Sequence, residues 1–138
     1  MVSFSFLEID DDILDRPGII QWLKLVIKSE KKASGDIQFI FCNDEFLLGI
    51  NQAYLNHDTY TDIITFPTSQ NASIISGEIY ISIERVKENA SIRNIKFEFE
   101  LSRVMVHGIL HLMGYRDKTK AEQSEMRAKE DYYLNLQP

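Results

Sequence analysis

Cysteine is nearly missing from this chain: Cys42 stands alone among 138 residues, so no disulfide can form within it. Its setting, Ile-Gln-Phe-Ile-Phe-Cys-Asn, reads as the end of a buried strand, which makes Cys42 core and neither nucleophile nor ligand. No apolar run approaches the roughly 20 residues of a membrane span. The opening Met-Val-Ser-Phe-Ser-Phe-Leu-Glu lacks the basic flank of a signal peptide, so a cytoplasmic protein with no membrane partner is expected. Positive charge is also in deficit. Fifteen Lys and Arg stand against 21 Asp and Glu, a formal net charge of −6, so the body repels nucleic acid and any such contact needs a local basic surface. There is no repeat, linker or low-complexity stretch.

What is present is the balance of an ordinary globular domain. Hydrophobic residues make up 44% and charged residues 26%, which excludes a disordered chain. A chain of 138 residues can bury roughly two-thirds of its unfolded surface around one core, so residues 1–138 are expected to form a single domain.

Residues 3–9 alternate apolar and polar like a half-buried strand, which Asp10, Asp11 and Asp12 then break. Pro17 suits the first turn of a helix whose apolar face is Ile20, Trp22, Leu23, Val26 and Ile27, running through Lys28. Ser34-Gly35-Asp36 is turn chemistry, and Ile37–Cys42 reads as a second strand. Asn43 can cap a helix with apolar positions Phe46, Leu47, Ile50 and Tyr54. Thr61–Phe66 and Ser73–Ser82 are rich in β-branched residues and are expected to pair antiparallel. Beyond Ser82 three helices follow, Ile83–Asn94, Phe97–Met113 and Thr119–Leu134, the last opening with Thr119 and Glu122 in capping-box spacing. The order βαβαββααα implies an α+β fold, a small mixed sheet of about four strands covered by helices. Strand order does not follow from these patterns.

Three histidines are present, and two are paired. His107 and His111 are four residues apart and so share one helical face, where both imidazoles can reach one ion. Gly114 can end that helix in a left-handed conformation and return Asp117 to the same face as a third ligand. Two imidazoles and a carboxylate suit zinc, and three protein ligands leave a position for water, as in catalytic sites. The alternative is that the histidines merely line a helix and Asp117 is a solvated loop residue. A zinc protease would carry glutamate directly after the first histidine; Gly108 occupies that position and disfavours this chemistry. A mid-helix glycine costs about 1 kcal/mol relative to alanine, so Gly108 marks a close packing or substrate-clearance position.

At these residues the sequence resembles the YbeY family of bacterial metallo-endoribonucleases, whose signature His-Gly-x-Leu-His-Leu-x-Gly-Tyr is matched by His107–Tyr115. Asn51-Gln-Ala-Tyr54 through Asp58, Thr61–Pro67 and Gly77–Val86 also resemble segments of that family. The resemblance implies one Zn(2+) per chain on a central helix, held by His107, His111 and Asp117. It implies hydrolysis of single-stranded RNA in a 16S rRNA precursor, in 3′-end maturation and ribosome quality control, with the small ribosomal subunit and assembly factors as partners. Two positions depart from the pattern. The family's third ligand is commonly histidine, whereas Asp117 makes the site more anionic and a bound water less acidic. The family's arginine after Asn-x-x-Tyr is Leu55 here, so that residue's role does not carry over.

Arg103, one turn before His107, and Arg116, beside Asp117, are candidate phosphate contacts in its place, or else solvated ion-pairing charges. His57 and Asp58 are candidates for the cleft wall, and Asp62 is left without a catalytic step. Between Tyr115 and Lys129, Arg116, Lys118, Lys120, Arg127 and Lys129 outnumber three acidic residues, either steering RNA or forming an exposed helix face. Two other functions fit the residues: a non-catalytic ribosome-assembly factor with a structural metal, and a metal hydrolase of another phosphoester or amide.

Overall fold

A computed structural model of the chain describes residues 1–10, 16–57 and 59–137; Asp11, Asp12 and Asp58 lie outside them. Nine elements follow in the expected order: β1 (Val2–Phe6), α1 (Arg16–Ser29), β2 (Ala33–Cys42), α2 (Asp44–Leu55), β3 (Ile63–Pro67), β4 (Ile74–Ser82), α3 (Ile83–Arg93), α4 (Phe97–Leu112) and α5 (Lys120–Leu134). The sheet order is β1-β2-β4-β3. β1 and β4 flank β2 in parallel, and β3 pairs antiparallel with β4, so the fold is α+β with a mixed sheet.

Local chemistry accounts for most boundaries. The Asn43 side chain accepts from the Phe46 amide to start α2, Ser82 accepts from the Arg85 amide to start α3, and Thr119 with Glu122 forms the expected capping box on α5. β1 ends at Phe6, earlier than the alternation suggested, and Glu8 adopts a left-handed conformation just beyond (φ 57°).

Two further expectations are corrected. Phe46 and Tyr54, expected on the apolar face of α2, are exposed, because that helix buries only Leu47 and Asn51. Ser34-Gly35-Asp36 does not form a turn: β2 begins at Ala33, and these residues lie where its register with β4 shifts, between Ser34 and Ile37. Pairing before and after the segment overrides the turn propensity and leaves Gly35 and Asp36 as a bulge, because Ser34 pairs with Ile75 and Ile37 with Gly77 of β4, and the Ile37 amide also bonds the Met1 carbonyl.

Alternation along the strands sends Ile37, Phe39, Phe41, Ile79 and Ile81 to one face, the main core. Cys42, Ile64 and Tyr80 fall on the other face, beside Leu47 of α2. Cys42 is fully buried and its thiol is pushed up to about 12, chiefly by desolvation, so it is the inert core residue its context implied. Helices α1 and α4 cover the main core, and α3 and α5 pack outside α4. Trp22 of α1 donates its indole N–H to the Tyr133 carbonyl at 2.8 Å, tying α1 to α5 beneath the surface. α4 is thus the central helix, wedged between the sheet and α5, with Gly108 at its closest approach to the sheet. A Cβ there would sit 2.9 Å from Ile63 Cδ1 and 2.9 Å from Ile79 Cγ2, so packing explains the glycine.

Candidate metal centre

His107 and His111 project from one face of α4, their ring centroids 4.5 Å apart and nearly perpendicular. Gly114 at φ 103° breaks the helix, its amide bonding the His111 carbonyl, and the chain turns so that Asp117 meets both rings. Asp117 Oδ2 lies 3.3 Å from His107 Nε2 and 3.4 Å from His111 Nε2. One donor atom from each of the three residues falls within 4.8 Å of the others, a group that could hold a metal ion. The two nitrogen–oxygen separations match the edge of a tetrahedron with bonds of roughly 2.0–2.1 Å, which is about 3.3–3.4 Å.

The side chain behind His107 escaped the sequence analysis. Glu130 of α5, 5% exposed, lies 2.6 Å from His107 Nδ1 through Oε2 and accepts from Arg103 Nη1 at 2.8 Å through Oε1. A carboxylate on Nδ1 fixes the ring and leaves Nε2, the atom facing Asp117, as the ligand nitrogen. Nothing local announces Glu130: it is one of several acidic residues on a polar helix, 23 positions after His107. Only the packing of α5 on α4 makes it a partner.

Electrostatics divide the two imidazoles. Burial works against protonation of His107, but the hydrogen bond and charge of Glu130, with Asp117 and Asp62, outweigh it and raise its pKa. Burial and the charge of His107 lower that of His111. Glu130 is costly to bury, yet the His107 and Arg103 hydrogen bonds hold its pKa below the ordinary carboxylate value.

Two cavities meet at these atoms, of about 390 Å³ and about 350 Å³, and both are lined by Asp62, Ile63, His107 and Asp117. Leu55 and His57 line the smaller lobe, so the position lacking the family arginine faces the cleft. Asp62 lines both lobes, and burial raises its pKa. Arg103 lines the larger lobe but is committed to Glu130 and, at 2.7 Å, to Asp131. Arg116 lines a separate depression with Glu30 and Glu122.

The sequence profile of the Endoribonuclease YbeY family matches residues 8–137. The chain belongs to that family. An Endoribonuclease YbeY of Flavobacterium psychrophilum is 53% identical over 99% of this chain and 96% of its own length. Another, of Christiangramia forsetii, is 50% identical over 97% and 94%. A solution structure of a Thermotoga maritima protein superposes with a TM-score of 0.70 at 31% identity, covering 98% of this chain and 87% of that one. The His107–Tyr115 signature of the family therefore sits where the three donors converge.

The turn bearing Asp117 is pinned from the far side. Tyr115 donates its hydroxyl to Glu30 Oε1 at 2.5 Å, while Tyr133 and, at 3.0 Å, Lys129 donate to Glu30 Oε2. Burial of Glu30 opposes its charge, but these three donors outweigh it and lower its pKa. Glu30→Gln is expected to cost on the order of 2 kcal/mol near neutral pH. Because the folded-state pKa is the depressed one, that difference is complete above about pH 4.5 and shrinks as pH falls below it. Urea denaturation of both proteins from about pH 7 to about pH 3 checks this. A difference that does not change with pH would show that the charge contributes nothing.

Proposed function

We propose that the chain is a single-domain, zinc-dependent endoribonuclease that cuts single-stranded RNA in 16S rRNA 3′-end maturation and ribosome quality control. On this reading, His107, His111 and Asp117 hold one Zn(2+). The observation that carries it is the convergence of the three donors, with Glu130 backing His107. The Endoribonuclease YbeY relatives support the substrate class, and the small ribosomal subunit with its assembly factors is the proposed setting.

When bound, the ion supplies an activated water and neutralises charge on a phosphoryl oxygen. The chain's own residues bind and orient. Glu130 holds His107 in one tautomer, and Arg103 fastens Glu130 from the other side. Asp117 brings a negative charge, so two neutral imidazoles and one carboxylate leave a net positive centre for a phosphodiester. The two lobes meeting at His107 and Asp117 let an extended strand cross the donors, with nucleotides on either side. Of the two arginines considered for the phosphate, Arg103 is the one in the cleft, and a phosphate would share it with two carboxylates. Leu55 favours a second reading, RNA binding without cleavage, since it leaves an apolar side chain in the smaller lobe.

Elemental analysis of wild type, His111→Ala and Asp117→Ala, beside cleavage of a single-stranded RNA, separates the readings. The expected result is about one zinc per wild-type chain, with metal and cleavage both lost in the variants and little change in melting temperature. Variants that unfold as they lose metal would instead indicate a structural ion. A metal-free, folded wild type that leaves RNA intact would overturn the proposal.

A further inference from the structure

The two lobes differ in their basic side chains. Asn51, Leu55, His57 and Thr65 of the smaller lobe are accompanied by no lysine or arginine among the described lining residues. The larger lobe has three arginines, Arg93, Arg103 and Arg127. Two of them are spent within the protein. Arg93 Nη1 lies 2.6 Å from Glu100 Oε2, and Arg103 is divided between Glu130 and Asp131. Arg127 is exposed and makes no hydrogen bond or ion pair with a described residue. It stands one turn after Gln123 on α5, so both side chains lie on the face that walls the lobe, while Met126 between them is buried.

An unpartnered guanidinium in the cleft of an acidic protein supplies the local positive charge that the net charge of −6 otherwise denies a polyanion. Its planar fork suits the paired oxygens of a phosphate, and an amide one turn away adds another donor. We propose that Arg127, with Gln123 beside it, binds a backbone phosphate of single-stranded RNA next to the phosphodiester positioned at His107, His111 and Asp117. The larger lobe thereby receives the neighbouring nucleotide, and the electrostatic grip on the strand comes from α5 and not from the Leu55 position. This rests on the endoribonuclease reading. Arg127 is a binding residue and takes no part in bond cleavage.

The test compares wild type, Arg127→Gln, Arg127→Lys and, as a matched loss of exposed charge on α1, Lys28→Gln. Steady-state cleavage of a single-stranded RNA is measured between roughly 50 and 200 mM salt. For Arg127→Gln the expected result is a KM raised about tenfold at the lowest salt with kcat within about twofold. The slope of log KM against log salt falls by about 0.7, one phosphate contact on a single strand. Arg127→Lys keeps the slope and loses part of the affinity, and Lys28→Gln matches wild type. Anisotropy with a fluorescent RNA in the His111→Ala background tests the contact separately from cleavage: Arg127→Gln weakens binding about tenfold there too. Unchanged KM, slope and binding in Arg127→Gln would overturn the proposal while wild-type cleavage leaves the enzyme reading intact. Failure of wild type to cleave RNA, with the Arg127 effect on binding retained, would overturn the enzyme reading alone.

Discussion

Replacing Glu130 with alanine is expected to lower the melting temperature by roughly 10–15 °C and to weaken metal binding ten- to hundredfold. Glu130 is 5% exposed and serves two partners, His107 Nδ1 at 2.6 Å and Arg103 Nη1 at 2.8 Å. Its removal leaves a largely buried guanidinium with Asp131 as its one remaining carboxylate among the described residues, and breaking a buried pair from one side costs about 3–5 kcal/mol. It also frees the His107 ring to rotate and to exchange tautomers, so Nε2 no longer points constantly toward Asp117. Glu130→Gln should retain more stability, because an amide oxygen can still accept one of the two hydrogen bonds, yet lose most of the metal affinity. Thermal denaturation and competition with a chromophoric chelator read the two effects separately. A large loss of stability with unchanged metal affinity would show that Glu130 only packs α5 onto α4.

Gly108→Val should be nearly as damaging. The added Cβ alone meets Ile63 and Ile79 side chains at 2.9 Å, and the two further methyl groups of valine enter the same space between α4 and the sheet. Overpacking a filled core costs about 1–3 kcal/mol for small additions, and valine stands above that range because its branched side chain has one favoured rotamer in a helix. A fall of about 10 °C or more in melting temperature is expected. Gly108→Ala sets a better helix former, worth about 1 kcal/mol, against a milder clash, and should come out neutral to destabilised by about 2 kcal/mol. An alanine variant more stable than wild type by the full propensity gain would show that the helix and sheet are not in such close contact. The displacement bears on function as well, since Ile63 lines both lobes beside His107.

The candidate ligands were legible because they are local. Four-residue spacing puts His107 and His111 on one face whatever surrounds the helix, and a glycine three residues on supplies the turn that returns Asp117. The caps at Asn43 and Thr119 were legible for the same reason: each is a hydrogen bond to a backbone amide three residues away. Ser34-Gly35-Asp36 forms a bulge in place of the expected turn because β2 pairs with β4 both before it, at Ser34, and after it, at Ile37, which no window of neighbouring residues reveals. Arg103 and Arg116 were candidates by nearness in sequence to the histidines and to Asp117. Which arginine remains unpaired depended on carboxylates 27 and 28 residues from Arg103.

By itself, then, the sequence determined the order and kind of the described elements, the core face of α1 and the three convergent donors, all of which depend on periodicity and caps spanning a few residues, whereas Phe46 and Tyr54 of α2 stayed exposed. The tertiary structure alone decided the strand order β1-β2-β4-β3, the pairing of Glu130 with His107, the clamp on Tyr115 by Glu30, and the exposure of Arg127 in the cleft. The strand order joins residues far apart in the chain within the sheet, and the two Glu contacts join residues brought together when α5 and α1 close around α4. Their partners are selected by the burial of a shared core and not by any preference of the residues for their neighbours in the chain.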